Sequence, residues 1–210
     1  MVGRALAQRL GYGFLDTGLM YRAVTLAALE RKAPLTNTQA LSTIAEQVRL
    51  RVERAGRTVA MHVMVGQDDV TTRLRQPEVD TYVSVVSAVP EVRTELVKRQ
   101  RTFARGHDVV MVGRDITTVV LPDAELKVFL TAAPEERARR RHLELQQSGS
   151  AADFEVVLQE TRRRDKMDSE RPVSPLRPAA GAVIIQTDGV SVDEVVERIV
   201  GELKKRAVLA

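Results

Sequence analysis

Three short apolar runs predict β-strands that are buried on both faces. The runs cover residues 108–112, 126–130 and 182–186, are rich in valine, leucine and isoleucine, and do not alternate apolar with polar residues. Such runs are typical of parallel sheets, in which helices cover both faces of each strand. Because helices are predicted between and after these runs, we expect an α/β fold, with a parallel sheet and helices on both sides.

Helical spacing of apolar residues accounts for much of the remaining chain. The chain opens on a predicted helix at residues 2–10, which Gly11 can end, and a short strand is predicted at residues 12–15. Either Asp16 or Thr17 can cap the next helix. The proline-rich residues 171–178 are predicted to be non-helical. The further predicted helices cover residues 17–31, 39–47, 77–88, 91–105, 134–147, 154–167 and 192–206.

Residues 48–65 differ from the rest of the chain because apolar and polar residues alternate there. Residues 48–53 and 58–65 have the two-residue period of a β-strand, and Gly56 lies between them. This pattern predicts an antiparallel two-stranded ribbon with a turn at Gly56.

Composition excludes several kinds of protein. The sequence has no cysteine, which excludes disulfides and thiolate metal sites. None of its apolar runs is long enough to span a bilayer and it has no signal peptide, so we expect a cytoplasmic protein. His62 and His107 are expected to be structural or at the surface, and His142 to add to the charge of its helix. No two of these three histidines have the spacing of metal ligands.

Basic residues are clustered, although the net charge is only +4. Arginines are concentrated in residues 137–142 and 162–164. Such clusters suit anionic ligands, either nucleic acid or the phosphates of a nucleotide, or else form the solvated face of a helix. Aromatic side chains make up 3% of the sequence and tryptophan is absent, which argues against a nucleic-acid binder that stacks bases.

Arginine and aspartate recur together where ligands bind in parallel sheets. The residues after the predicted strands are 16–22, 113–115 and 131–137, and residues 164–171 follow later. A guanidinium group matches phosphate oxygens, and a carboxylate accepts hydrogen bonds from ribose hydroxyls or from a base amino group. Salt bridges within the protein would explain any single pair. Several such pairs at successive strand ends favour a nucleotide site.

Four stretches carry a resemblance to a known family. They are D-T-G-L-M-Y-R-A-V from Asp16, G-R-D-I-T-T-V-V-L-P-D-A from Gly113, E-E-R-A-R-R-R from Glu135, and R-R-D-x-x-D-S-E-R-P-V-S-P-L from Arg163. In order and spacing they resemble the signatures of bacterial cytidylate kinases, which are P-loop nucleoside monophosphate kinases. The resemblance runs from residue 2 to the C-terminus.

The resemblance implies a P-loop NTPase-like fold, with three layers around a parallel sheet. It implies a single nucleoside monophosphate kinase domain over residues 1–210, with a small antiparallel insertion and an arginine-rich helical lid. The core is expected at residues 1–47, 84–136 and 171–210, the monophosphate-binding insertion at residues 48–83, and the lid at residues 137–170.

The resemblance also implies roles for individual residues. Arg22 matches the residue on the CMP phosphate, and Asp168 matches the carboxylate that holds the ribose hydroxyls. The residues that match those reading the cytosine ring are Ser84, Arg93 and Asp115, and the first monophosphate-binding stretch supplies Thr17 and Tyr21. The arginines expected to act on phosphate groups in catalysis are Arg114, Arg164 and Arg171, with Arg137 and Arg140 of the lid lying over ATP.

The implied reaction is phosphoryl transfer from ATP to CMP or dCMP, which gives CDP or dCDP. A phosphate oxygen of CMP attacks, so positioning and charge neutralisation do nearly all the catalysis and no nucleophilic side chain is needed. Mg²⁺ is expected to bridge the ATP phosphates. We expect a monomer that binds small nucleotides and neither nucleic acid nor membranes. The alternatives are another small-molecule kinase of this fold, a non-catalytic CMP-binding short form, and a nucleic-acid binder.

The resemblance begins one step after the family's phosphate-binding loop. In the family, the first helix follows a buried strand and a G-x-x-x-x-G-K-[ST] loop, a motif that this sequence does not contain. Three explanations compete: a gene product that starts upstream, a natural short form that keeps CMP binding, and phosphates held by the arginines alone. We expect negligible CMP kinase activity and poor stability from the 210 residues as written, and the residues that bind ATP's phosphates stay unassigned.

Two positions near Gly113 depart from the family pattern. Val112 stands where the family often has an aspartate, so a carboxylate that could hold Mg²⁺ through water is missing there. Thr117 stands where the family usually has glycine, so the local backbone is expected to differ.

Overall fold

The structure, a computed structural model, describes residues 1–55, 58–147, 149 and 151–209, with side chains described outside residues 52–61 and 207–209. The predicted turn at Gly56 lies outside the described residues. The chain divides into two compact units, which are described in turn. The first consists of Met1 and Gly3–Ile116, and the second of Val2 and Thr117–Ala210.

The first unit is built on a pair of parallel strands and on helices that flank them in sequence. Helix α1 (Val2–Leu10) ends at Gly11, whose φ of 72° is the left-handed conformation that glycine adopts without strain. Strand β1 (Gly13–Asp16) follows and pairs in parallel with β5 (Val109–Val112), with Asp16 opposite Val112. The helices of this unit that follow are α2 (Gly18–Glu30), α3 (Thr38–Gln47), α4 (Pro77–Ser87) and α5 (Pro90–Ala104).

The antiparallel ribbon is confirmed, and the structure extends it. Strands β2 (Val48–Ala55) and β3 (Thr58–Val65) pair antiparallel, with Val48 opposite Val65. A two-residue strand, β4 (Asp68–Asp69), adds a third strand next to β3, which the sequence did not predict. A 3₁₀ turn at Thr71–Arg73 then leads towards α4.

Helix α2 forms the centre of the core in the first unit. Its residues are apolar on most of its circumference, a pattern that is typical of a buried helix. Met20 and Val24 are completely buried, and so are Leu41 of α3 and Leu96 of α5. Because α2 is buried, the polar residues just before it, Asp16 and Thr17, are held in place.

The second unit contains a second parallel pair and a helical hairpin. Strands β6 (Val128–Thr131) and β7 (Val183–Gln186) pair in parallel, with Val128 opposite Val183. Helices α6 (Pro134–Gln147) and α7 (Phe154–Glu170) pack on each other through Ala138, Val157 and Leu158. Helix α8 (Val192–Leu209) follows β7, and a π-helical turn at Ile116–Val120 lies at the start of this part of the chain.

The α/β fold class is confirmed, but two finer predictions are wrong. The runs at residues 126–130 and 182–186 do form strands, yet Leu130 is 42% exposed and Ile184 is 62% exposed. An apolar run therefore predicted the extended backbone correctly but not the covering of both faces. Helix α7 continues to Glu170, three residues beyond the predicted end at residue 167.

Among the described residues, we find no helix with the length and hydropathy that a membrane span requires.

Candidate functional site

The carboxyl ends of β1 and β5 meet at Thr17 and Gly113. The Thr17 backbone N–H and its Oγ1 both donate to the Val112 carbonyl, each at 3.0 Å. A Cβ on Gly113 would collide with Thr17 Oγ1 and lie 2.8 Å from Ile116 Cδ1, so this close approach requires glycine. Of the two predicted caps of α2, Asp16 is the one that acts, since its carboxylate accepts from the Gly18 N–H at 3.0 Å.

A buried ion pair joins Arg93 and Asp115, two residues expected to read the base. Both side chains are 5% exposed and they contact each other directly through Arg93 Nη2 and Asp115 Oδ2. Arg93 Nη1 also donates to the Ser87 carbonyl at 2.9 Å, and its guanidinium lies 5.4 Å from the centre of the Tyr21 ring. The pair places a fixed donor group and a fixed acceptor group side by side in a region shielded from water.

Ser84 lies next to this pair through α4. It is 5% exposed, and its carbonyl accepts from Ser87 Oγ at 3.1 Å. Because Ser87 also receives the Arg93 hydrogen bond, a chain of contacts links Ser84, Ser87, Arg93 and Asp115. A small hydroxyl, a guanidinium and a carboxylate in one polar cluster can match the mixed donors and acceptors on the edge of a base.

Arg22, the residue expected to bind the CMP phosphate, is engaged by two acceptors. Its Nη1 donates to the Leu74 carbonyl at 3.1 Å, and its Nη2 forms an ion pair with Asp80 Oδ1. The side chains of Arg22 and Asp80 are 15% and 24% exposed, so the pair is partly shielded from solvent. Arg114 differs from Arg22 in that it is exposed.

In the second unit, Arg137 forms a bidentate pair with Asp165. Its Nη1 and Nη2 donate to the two carboxylate oxygens at 2.7 and 2.6 Å, and its Nε donates to the Ala132 carbonyl at 3.1 Å. The Asp165 carboxylate raises the pKa of Arg137, mainly through these hydrogen bonds. Arg137 therefore ties the segment after β6 to the middle of α7.

Arg140 lies one turn further along α6 and reaches the segment after β7. Its Nε donates to Glu136 at 2.8 Å, and its two terminal nitrogens donate to the Thr187 hydroxyl at 3.2 Å and to the Thr187 carbonyl at 2.5 Å. Hydrogen bonds from Arg139 and then Arg140 lower the pKa of Glu136, so this carboxylate stays ionised. Arg137 and Arg140 thus both have protein partners.

The end of α7 carries the remaining predicted residues. Asp168 and Arg171 are buried, with Arg171 Nη1 at 3.7 Å from Asp168 Oδ1. Arg171 Nε donates to the Ser174 carbonyl at 2.6 Å, and the Asp168 carbonyl accepts from the Leu176 N–H at 2.8 Å. Arg164 is four residues before Asp168 on the same helix, so both belong to one helical face.

Three of the arginine–aspartate pairs join residues that are distant in sequence, whereas Arg171 lies beside Asp168, three residues before it. Asp115 pairs with Arg93 of α5, Asp165 with Arg137 of α6, and Arg22 with Asp80 of α4. Sequence reasoning missed Asp80 and the role of Asp165. Acidic residues are common in the first turn of a helix, because their negative charge interacts favourably with the positive end of the helix dipole. The sequence therefore gave no sign that Asp80 would pair with Arg22.

The structure places the predicted site residues in two groups, one in each unit. Contacts within the first unit link Tyr21, Ser84, Arg93 and Asp115, while Arg22 lies beside Tyr21 in sequence and Thr17 lies at the end of β1. The group in the second unit comprises Arg137, Arg140, Arg164, Asp168 and Arg171. Among the residues that the structure describes, no group of three or more histidines or carboxylates is arranged to hold a metal ion.

Comparisons with known proteins point to one family. The family model described as Cytidylate kinase matches residues 1–205. The chain is 44% identical over 204 residues to a cytidylate kinase of Caldanaerobacter subterraneus, covering 97% of this chain and 88% of that protein. It is 45% identical over 198 residues to a cytidylate kinase of Desulfitobacterium hafniense, covering 94% and 84%.

A longer relative carries a second activity in its name. The chain is 46% identical over 200 residues to a bifunctional pantoate ligase/cytidylate kinase of Synechococcus sp.. The match covers 95% of this chain but spans only 37% of the length of that protein.

Proposed function

Since this chain belongs to the cytidylate kinase family, we propose that it transfers a phosphoryl group from ATP to CMP or dCMP. The chain is accordingly a kinase, with nucleotides as substrates and ATP as the phosphate donor. The observation that carries the choice of base is the buried Arg93–Asp115 pair beside Ser84.

The first unit supplies the groups that select the pyrimidine. The Asp115 carboxylate is an acceptor, which suits the amino group at position 4 of cytosine and opposes the carbonyl oxygen that uracil has there. Arg93 and Ser84 offer donors for the ring nitrogen and carbonyl of cytosine. Thr17 and Tyr21 belong to the proposed monophosphate-binding stretch. Arg22, in the same stretch, binds the phosphate of the monophosphate substrate.

The second unit supplies most of the positive charge for the phosphates. Arg137, Arg140, Arg164 and Arg171 are assigned to phosphate oxygens, and the Asp168 carboxylate to the ribose hydroxyls. In the first unit, Arg114 is assigned to a phosphate group as well. Because phosphoryl transfer has a transition state with charge on peripheral oxygens, fixed guanidinium groups stabilise it without forming a covalent bond.

Mg²⁺ enters this scheme with ATP. The described residues hold no group of three or more carboxylates or histidines that could form a metal site of their own, and Val112 is apolar. A cation bound through ATP phosphate oxygens and water suits this set of residues, because Mg²⁺ retains several waters in such sites. Such an ion would supply positive charge against the phosphate oxygens.

The scarcity of aromatic residues, at 3% of the sequence, supports small nucleotides as ligands in preference to nucleic acid. The same proposal includes a monomeric protein in the cytoplasm that does not act on membranes.

Calorimetric titration with CMP, dCMP, UMP, AMP and an oligonucleotide tests the proposal. We expect CMP to bind at least about tenfold more tightly than UMP, since one hydrogen bond to a charged group is lost and one unfavourable contact is gained. Measurement of binding makes the outcome independent of the phosphate-binding loop. Equal affinity for CMP and UMP, or preference for the oligonucleotide, would contradict the proposal.

A matched pair of variants locates the selectivity. Asp115→Asn is expected to abolish the preference for CMP over UMP, whereas Asp108→Asn, at an exposed aspartate just before β5, is expected to retain it. Circular dichroism confirms that each variant is folded at the temperature of the titration. Unchanged selectivity in Asp115→Asn would remove Asp115 from the base-reading group.

A further inference from the structure

The arginine that is proposed to bind the substrate phosphate is already paired with a carboxylate of the protein. Arg22 Nη2 is paired with Asp80, and Arg22 Nη1 is bonded to the Leu74 carbonyl at 3.1 Å. Both terminal nitrogens of the guanidinium therefore already have acceptors. These two nitrogens could bind two phosphate oxygens at once. In the structure, one of them donates to a charged carboxylate and the other to a neutral carbonyl.

Asp80 is also close to the base-reading group along its own helix. It lies in the first turn of α4, and Ser84 follows four residues later, so the two side chains share one face of that helix. A nucleotide whose base contacts Ser84 and whose phosphate contacts Arg22 would bring its phosphate towards Asp80. Two anions on one guanidinium repel each other, and the repulsion is strong where the pair is partly shielded from water.

The geometry points to Asp80 as an internal anion that Arg22 exchanges for the phosphate of the substrate. This inference rests on the proposed function, because it takes Arg22 as the phosphate ligand. Without substrate, Asp80 neutralises Arg22 and fixes its side chain. When CMP binds, the phosphate replaces the carboxylate, while the Leu74 carbonyl can keep its neutral hydrogen bond. Asp80 thereby weakens the affinity for every ligand that carries a phosphate at this place and leaves the affinity for the nucleoside unchanged.

The test compares CMP with cytidine on Asp80→Asn. This variant keeps the size of the side chain but removes its charge, so the competing hydrogen bond loses its charge assistance. We expect the Kd for CMP to fall by about threefold to tenfold, the range for release of one partly exposed ion pair. The Kd for cytidine should stay the same, because cytidine has no phosphate.

Glu78→Gln is the matched control. Glu78 is an exposed acidic residue in the same first turn of α4. The substitution Glu78→Gln therefore removes the same charge from the same end of the helix as Asp80→Asn does. Glu78→Gln should leave the Kd of both ligands unchanged. Melting temperatures of both variants, measured without ligand, show whether either substitution disturbs the fold.

The outcomes separate the inference from the proposed function. Weaker CMP binding by Asp80→Asn would overturn the inference, since it would make Asp80 a residue that positions Arg22 for the phosphate. An equal change for CMP and cytidine, or an equal effect of Glu78→Gln, would also overturn it. A wild-type chain that binds CMP no better than UMP would overturn the proposed function instead, and the comparison of CMP with cytidine on Asp80→Asn would still report on Asp80.

Discussion

The proposed base-reading group and the contact between α6 and α7 differ in how far their ion pairs are buried. In the first, Arg93 and Asp115 are paired where each side chain is only 5% exposed. In the hairpin formed by α6 and α7, the Arg137–Asp165 pair is 34% and 27% exposed, and the Arg162–Glu135 pair is 58% and 54% exposed. Under the proposed function, the contrast matches the assigned ligands, since a base is selected by fixed hydrogen bonds and a phosphate is bound by charge.

Burial determines how an ion pair responds when one partner is removed or replaced by a ligand. Removal of one member of a buried pair leaves a charge in a region of low dielectric constant, whereas an exposed charge is solvated as soon as its partner is gone. A buried pair therefore resists exchange of partners, which suits discrimination between two similar bases. An exposed arginine exchanges a carboxylate for a phosphate at little cost, which suits residues that act on ATP.

The largest effect is expected from Asp115→Ala. This change leaves Arg93 buried without its carboxylate partner and should lower the free energy of unfolding by about 3 kcal/mol. Urea unfolding followed by circular dichroism measures the loss. Asp165→Ala is the matched control in the exposed pair and should cost about 1 kcal/mol or less. Equal losses in the two variants would remove the distinction between the two regions.

Gly113→Ala tests the close packing beside the buried pair. A Cβ at this position would overlap Thr17 Oγ1 and lie 2.8 Å from Ile116 Cδ1, so the backbone at the end of β5 must shift. We expect a loss of about 1–3 kcal/mol in the free energy of unfolding, as for overpacked sites. Gly201→Ala, where an added Cβ meets open space within α8, is the control and should not be destabilising. A wild-type midpoint for Gly113→Ala would show that this approach is not constrained.

Much of the fold was predictable because its signals are local. Helix α6 was predicted at residues 134–147, where the structure has it. The ribbon was predicted from alternation, and β4 was missed because two aspartates carry no period. Exposure of Leu130 and Ile184 could not be predicted, since burial depends on neighbours distant in sequence.

The candidate site was predictable as a set of residues but not as a set of contacts. Motif spacing indicated Arg22, Asp115 and Arg137, yet each pairs with a residue that is 22 to 58 positions away. Such pairing depends on how helices pack, as α4 does against α2 to bring Asp80 to Arg22. The competition between Asp80 and a phosphate is thus a property of tertiary structure alone.

A double-mutant cycle on Arg137 and Asp165 measures the exposed side of the comparison. Single and double alanine variants should give a coupling energy of about 1 kcal/mol, at the upper end for exposed pairs because the contact is bidentate. The cycle on Arg162 and Glu135, a more exposed pair with one contact, should give a smaller value. Both couplings should decrease at high salt. A coupling for Arg137 and Asp165 as large as the loss in Asp115→Ala would mean that this pair behaves as a buried one.

The smallest effect is expected at Asp69, which lies in the first unit but at its surface. Hydrogen bonds from the Thr71 side chain and N–H, followed by that from His62, lower the pKa of Asp69 from 3.8 to about 2. A lowered pKa in the folded state means that the ionised carboxylate stabilises the fold above about pH 4, and that this contribution is lost as the pH falls towards 2. Asp69→Asn should therefore be slightly destabilising at pH 6 and no longer differ from wild type near pH 2, as measured by urea midpoints.

Asp69 also tests whether solvent exposure, and not location in the first unit, determines how much a charged contact contributes to stability. Thr71→Val removes the strongest donor to Asp69 and should raise the carboxyl pKa towards 3.8 in an NMR titration, whereas Thr71→Ser keeps the hydroxyl and should leave it low. If solvent exposure sets the energy of a charged contact, Asp69 will resemble the exposed pairs of α6 and α7 although it belongs to the unit that holds Arg93 and Asp115. A stability change in Asp69→Asn as large as that of Asp115→Ala would show that solvent exposure does not set the energy of a charged contact.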